Sequence, residues 1–135
     1  MTDTVRCVVH HSAAPATPWS IAHYHHDVLM WAGIGYHYVI DDDGVIYRTE
    51  PVEVASAHIW GLTESSLGVC LCGDFTDHPP NAAQLTACHD LLAWFKQTIG
   101  KNWQYGGHKD FALPESPTAC PGDRWCDWKE EVLPK

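Results

Sequence analysis

The chain has 135 residues, which fits one domain, and 45% hydrophobic with 19% charged residues argues against a disordered tail or a collagen-like rod. Eight Lys and Arg against seventeen Asp and Glu give a formal charge of −9 at pH 7, so the basic excess of a nucleic-acid binder is missing. No stretch approaches the roughly 18 apolar residues of a membrane span, so no membrane insertion is expected. Two counts are unusual, 10 His and 7 Trp. Histidine is the commonest metal ligand and titrates near neutrality. Tryptophan offers aromatic surface for a sugar or peptide, although its more frequent use is core packing. The start, Met1-Thr2-Asp3-Thr4-Val5-Arg6-Cys7, lacks the charged-then-apolar pattern of a secretory leader, so a cytoplasmic chain is expected. The six Cys could form a disulfide framework or serve as free thiols and metal ligands; without a leader, free thiols or ligands are favoured.

Residues 6–10 carry Val8 and Val9 and stop at a polar pair, which predicts a short strand. Residues 13–18 hold two prolines and form a loop. Thr17 before Pro18 supplies a cap and a first-turn proline for a helix running to about Trp31 and ending near Gly33. A second strand is expected over residues 36–40. Asp41-Asp42-Asp43-Gly44 forms a hairpin turn rather than a cation site, and residues 45–48 return. The apolar run over residues 66–71 is too short for a helix and predicts a buried strand. Asn81 and Gln84 form a capping box ahead of a helix ending at Gly100. Residues 103–106 form a further strand that leads into a loop holding His108, and a short helix closes the chain from Pro121. Strands alternating with helices imply an α/β fold, a mixed central sheet flanked by helices, in a single domain spanning residues 1–135.

His10 and His11 end the first strand, His108 opens a late loop, and Cys120 ends that loop. A catalytic zinc site uses three protein ligands and one open position, which two imidazoles and a thiolate would satisfy. Ten His and six Cys allow many such triads, so spacing alone does not choose among them.

The local motifs add to this. Val8-Val9-His10-His11-Ser12, Ile34-Gly35-Tyr36-His37-Tyr38-Val39-Ile40, Ala57-His58, Ser66-Leu67-Gly68-Val69-Cys70-Leu71, Gly107-His108-Lys109-Asp110-Phe111 and Thr118-Ala119-Cys120-Pro121-Gly122 occur in this order. Together they closely resemble the zinc-dependent N-acetylmuramoyl-L-alanine amidases, the type shared by small phage endolysins and peptidoglycan recognition proteins, over about residues 6–125. The resemblance implies their fold and a Zn2+ cofactor held by His10, His108 and Cys120. It implies Tyr36 as the catalytic tyrosine and His58 as a substrate contact, and Trp60, as an aromatic close to His58 in the chain, is a further candidate for substrate binding. It further implies cleavage of the bond between N-acetylmuramic acid and L-alanine in peptidoglycan or a muropeptide. The favoured setting is a phage or prophage lysis enzyme, expected as a monomer that reaches the wall through a membrane pore; the alternatives are a non-catalytic peptidoglycan-binding module and a cytoplasmic muropeptide-recycling amidase.

The chain departs from the pattern in three places. Many phage members carry Lys two residues before the Cys ligand; here Thr118 can hydrogen-bond an oxyanion but brings no charge. The muropeptide-recycling branch has Glu where Cys70 stands and Asp as third ligand, so this chain looks more like the endolysin branch. The family's Asn after the His58 position is missing from Ile59-Trp60-Gly61-Leu62-Thr63.

Plainer roles are expected elsewhere. His11 should point to the opposite face from His10. His37 should fill a buried hydrogen-bonding role. His23 and His26 lie one turn apart, where a solvated helix face is favoured over a metal site. Cys70 and Cys72 share a strand face and should be small buried residues rather than a disulfide. Trp31, Trp60 and Trp125 are candidates for a groove wall, with packing as the alternative.

Overall fold

The computed structural model describes residues 4–29, 35–51 and 65–135. Strand β1 (Arg6–His11) is followed by helix α1 (Pro18–His23), which runs on as a π-helical turn (Tyr24–Val28). Then come β2 (Tyr38–Ile40), β3 (Ile46–Arg48), β4 (Ser66–Leu71), α2 (Ala82–Thr98), β5 (Gln104–Gly107), α3 (His108–Phe111) and α4 (Trp125–Val132). The strands form one mixed sheet in the order β3-β2-β4-β1-β5, with β2-β3 antiparallel and the other pairs parallel. This is the expected α/β architecture.

Strand alternation sorts the sheet into two faces. Cys7, Val9, Leu67, Val69, Leu71, Tyr38 and Ile40 face α2 and α4 and join Leu92, Phe95, Trp125 and Trp128 in the main core. Burying each large apolar side chain there stabilises the fold by about 1.5–3 kcal/mol. Val39 and Cys70 face the other way and pack with Ile21 of α1. His10 pairs with Cys70 across β1 and β4, so it lies on this second, less covered face.

Local chemistry sets the element ends. The Asn81 side chain accepts from Gln84 N–H, the Gln84 side chain accepts from Asn81 N–H, and α2 starts there as expected. Thr17 and Ser20 make the same reciprocal pair ahead of α1. Gly44 has φ 80° in the β2-β3 turn, where Asp41 Oδ1 accepts from the N–H groups of Asp43 and Val45. The aspartate run is therefore a turn.

Several boundaries are corrected. The regular helix from Pro18 stops at His23 and its continuation is π-helical through Val28; the expected end at Trp31 and Gly33 lies outside the described residues. β2 begins at Tyr38, not Tyr36. His108 opens a short helix rather than a loop, because the Asp110 carboxylate accepts the Gly107 N–H and closes a helical turn. The last helix starts at Trp125, after turns around Gly122. Among the described residues, no helix is long and apolar enough to cross a membrane.

Candidate metal centre and cleft

β1 lies between β4 and β5 and delivers His10, 1% exposed, to the open side of the sheet. The neighbouring strand β5 ends in Gly107, and a Cβ there would lie 2.8 Å from Pro121 Cδ and 2.8 Å from Trp125 Cε2. Only glycine lets β5 pass this close beneath the following turns. Asp110 Oδ2 then accepts from Gly107 N–H (2.8 Å) and from Trp125 Nε1–H (2.7 Å), which fixes the first turn of α3 and with it His108. The His10 and His108 ring centroids are 4.6 Å apart.

The segment around Cys120 is tied to both elements. Lys109 N–H donates to Cys120 O (2.8 Å), and His11 N–H donates to Cys120 Sγ (3.4 Å). Thr118 Oγ1 accepts from Cys120 N–H (3.1 Å), which leaves the Thr118 hydroxyl proton to donate elsewhere. His10, His108 and Cys120 each offer a ligand atom, and these atoms all lie within 4.8 Å of one another.

Two imidazole nitrogens and a thiolate match the donor set of a three-ligand catalytic zinc site. Zinc bonds of about 2.0–2.3 Å set tetrahedral ligand atoms roughly 3.3–3.8 Å apart. Cys120 Sγ and His10 Nδ1, 3.7 Å apart, already have that spacing, and the donor set as a whole fits the ion. Burial pushes the Cys120 thiol up to about 12, against the opposing pull of the His11 N–H and the Lys109 charge. Burial, then the neighbouring His11, holds His108 below the ordinary histidine value, so its imidazole is in the neutral form that ligates.

Tyr36 stands beside this centre, its ring centroid 5.1 Å from that of His10. Burial, followed by Cys70 and Cys120, raises its hydroxyl well above the ordinary tyrosine value. The hydroxyl therefore keeps its proton and acts as a donor. A cleft of about 500 Å3 opens here, lined by His10, Tyr36, Asp74, His108, Thr118 and Cys120 among others. A second cleft of about 470 Å3, walled by Ser20, Ile21, Tyr24 and His25, shares Ser12 and Tyr36 with the first. Tyr36 thus stands where the two meet.

The structure brings together His10, His108, Cys120, Tyr36 and Thr118. His58, Trp60 and Trp31 lie outside the described residues. Trp125 is not a groove wall: it is 1% exposed and packs edge-on against Trp128 at 4.6 Å. His11 faces away as expected, with Nδ1 accepting from Phe75 N–H (3.2 Å), and its backbone supports Cys120. His37 is fully buried and its Nδ1 accepts from Gly68 N–H (3.0 Å). His23 and His26 are exposed and both engage Asp27. Cys70 and Cys72 are buried free thiols, Cys7 and Cys88 are also buried, and Cys126 is exposed.

His25 is a residue the sequence reading passed over. It lies 7% exposed in the π-helical turn, against Tyr36. A signal was present: Pro18, Ile21 and His25 recur at the three- and four-residue spacing of one buried helix face.

Residues 2–123 match the family model described as N-acetylmuramoyl-L-alanine amidase. The fold is similar to that of the Ph2119 endolysin from a Thermus scotoductus bacteriophage, with TM-score 0.85 and 27% identity over 99% of this chain and 88% of that one. It is also similar to the N-acetylmuramoyl-L-alanine amidase LysC of Clostridium intestinale, with TM-score 0.79 and 29% identity over 89% and 77% of the two chains. Human peptidoglycan recognition protein 3 is 32% identical over 100 residues, covering 73% of this chain and 29% of that protein. The chain spans less than two thirds of the length of such curated relatives.

Proposed function

The chain belongs to the N-acetylmuramoyl-L-alanine amidase family, and from that premise we propose that it is a zinc-dependent hydrolase that cuts the amide between N-acetylmuramic acid and L-alanine in peptidoglycan. The observation that carries this reading is the convergence of His10, His108 and Cys120 on a cleft that Tyr36 and Thr118 also line.

His10, His108 and Cys120 would hold the ion. When bound, zinc supplies Lewis acidity, which activates solvent and polarises a carbonyl. The chain's own groups do the rest. Attack on an amide carbonyl concentrates negative charge on its oxygen, and preoriented donors lower the barrier most when they face that charge. Tyr36, kept protonated by burial, offers one such hydroxyl. Thr118 offers a second, because its oxygen accepts the Cys120 N–H and its own proton is left to donate. The His11 N–H steadies the Cys120 sulfur. His58 is assigned to a substrate contact on the motif resemblance, and Trp60 as an aromatic close to it in the chain.

The similarity to a phage endolysin across 99% of the chain supports a lysis enzyme that reaches the wall through a membrane pore. The test is digestion of purified sacculi followed by mass spectrometry. New L-alanine amino termini with intact glycan strands are expected. Turnover of soluble muropeptides alone would indicate a recycling enzyme, and binding without cleavage would indicate a recognition module; either result replaces this reading.

A further inference from the structure

Tyr36 belongs to no strand; it lies two residues before β2, in a segment whose backbone is fixed from two sides. Thr49 Oγ1 donates to the Tyr36 carbonyl (2.7 Å). The N–H of Gly35 donates to His25 Nδ1 (2.7 Å), in a buried bond. The Tyr36 ring touches His10 on the metal side, and its centroid lies 5.5 Å from that of His25 on the helix side.

The bond between Gly35 and His25 is directional. An amide N–H needs a lone pair at Nδ1, so the neutral ring carries its proton on Nε2. The acceptor comes from a stretch where the helix departs from regular winding: His25 is the second residue of the π-helical turn. Its neighbours His23 and His26 face solvent and share Asp27, whereas His25 turns inward to the segment that carries Tyr36. A histidine that only filled space would not need its ring nitrogen aimed at the amide next to the tyrosine.

We propose that His25 is a positioning residue for Tyr36: through the Gly35 amide and through its own ring it holds the Tyr36 hydroxyl at the junction of the two clefts. The proposal rests on the reading of Tyr36 as a hydroxyl that serves the amide cleavage. Its reach is a rate effect, because a displacement of about 1 Å at a reacting group can cost on the order of a hundredfold.

His25→Asn retains an acceptor near the Nδ1 position, and His25→Leu removes it. Both variants are loaded with zinc and assayed on muropeptides for kcat and KM, for bound metal, and for amide hydrogen exchange at Gly35. His25→Leu is expected to lower kcat roughly 10- to 100-fold, with KM and zinc content changed by less than about twofold, and His25→Asn to recover most of the loss. In a Tyr36→Phe background the leucine variant should cost less than about twofold more, since both changes remove one function. Wild-type kcat in His25→Leu, a full additional loss in the Tyr36→Phe background, or an asparagine variant as poor as the leucine one would overturn the proposal. If His25→Leu does not fold, His25→Gln takes its place: its oxygen sits one carbon farther out, and turnover equal to that of His25→Asn would likewise overturn it. If the wild-type chain cleaves nothing, the reading of Tyr36 fails by itself. The clamp is then judged by exchange alone, slow at Gly35 in wild type and His25→Asn and fast in the variant without an acceptor, with equal rates counting against it.

Discussion

Cys120 Sγ lies 3.7 Å from His10 Nδ1, although 110 positions separate the two residues in the chain. No local preference brings them together. β1 is fixed by pairing with β4 and β5, and the Cys120 turn is fixed by Lys109 and His11.

Cys120→Ala removes the sulfur and leaves two imidazoles, one fewer than a catalytic zinc site uses. Stoichiometric zinc should be lost on dialysis, measured by atomic emission, and amidase turnover should fall below about 1% of wild type. Full turnover in metal-free Cys120→Ala would remove the metal centre from the chemistry.

Tyr36→Phe should keep the zinc and lose rate. The change deletes one hydroxyl donor beside His10, and a missing oxyanion donor costs on the order of 100-fold in kcat. Steady-state kinetics with a parallel metal assay separates the two effects. Unchanged kcat would make Tyr36 a packing residue.

Asp110→Ala tests the support of His108. Asp110 Oδ2 receives the Gly107 and Trp125 N–H groups, so its loss leaves two donors unpaired in the turn that presents the ligand. Hydrogen bonds to a charged group contribute about 1.5–3 kcal/mol each. A lower melting temperature is expected, together with zinc affinity weakened roughly 10-fold or more in competition with a chelator. Wild-type affinity in a folded Asp110→Ala protein would sever this link.

The metal-free chain should weaken as the medium becomes acidic. Burial holds His25 and His11 below the ordinary histidine value, and burial with His11 does the same to His108. The unfolded chain then binds protons at a higher pH than the folded one. The stability from these neutral rings is present above the unfolded value of about 6.5 and is lost as pH falls below it toward the folded values. The carboxyls of Asp27 and Asp74, lowered by hydrogen bonds from His26 and from Thr76, act with the same sign in a more acid window. Melting temperature of chelated protein should drop from pH 7 to 5, less steeply in His25→Asn. Zinc uptake has the same sign: with the Cys120 thiol at about 12, binding near neutrality releases its proton, so affinity should rise about tenfold per pH unit. A flat melting curve or a pH-independent affinity would contradict these assignments.

Several elements were legible from local pattern. The apolar run of β4 and the Asn81-Gln84 box of α2 are decided by residues a few positions apart. The short helix at His108 was not, because Lys109 N–H finds its acceptor on Cys120 and Asp110 finds Trp125 fifteen positions on. The late start of β2 has a similar cause: Thr49 and His25 hold Gly35 and Tyr36 outside the ladder. Of the candidate site, spacing alone could not select three ligands from ten His and six Cys. The ordered motifs named His10, His108, Cys120 and Tyr36, and the structure brings those side chains together. His25 escaped notice because a histidine among neighbouring solvated histidines gives no sign of its partner, a backbone amide ten positions away.

The position of β1 in the sheet bears on biosynthesis. β1 is an inner strand, and its partners β4 and β5 begin only at Ser66 and Gln104, far later in the chain. His10 is therefore synthesised long before His108 and Cys120, and a nascent chain that stops short of Cys120 carries an incomplete trio. Metal capture by all three side chains can therefore begin only after Cys120 has been made, however early β1 is in place.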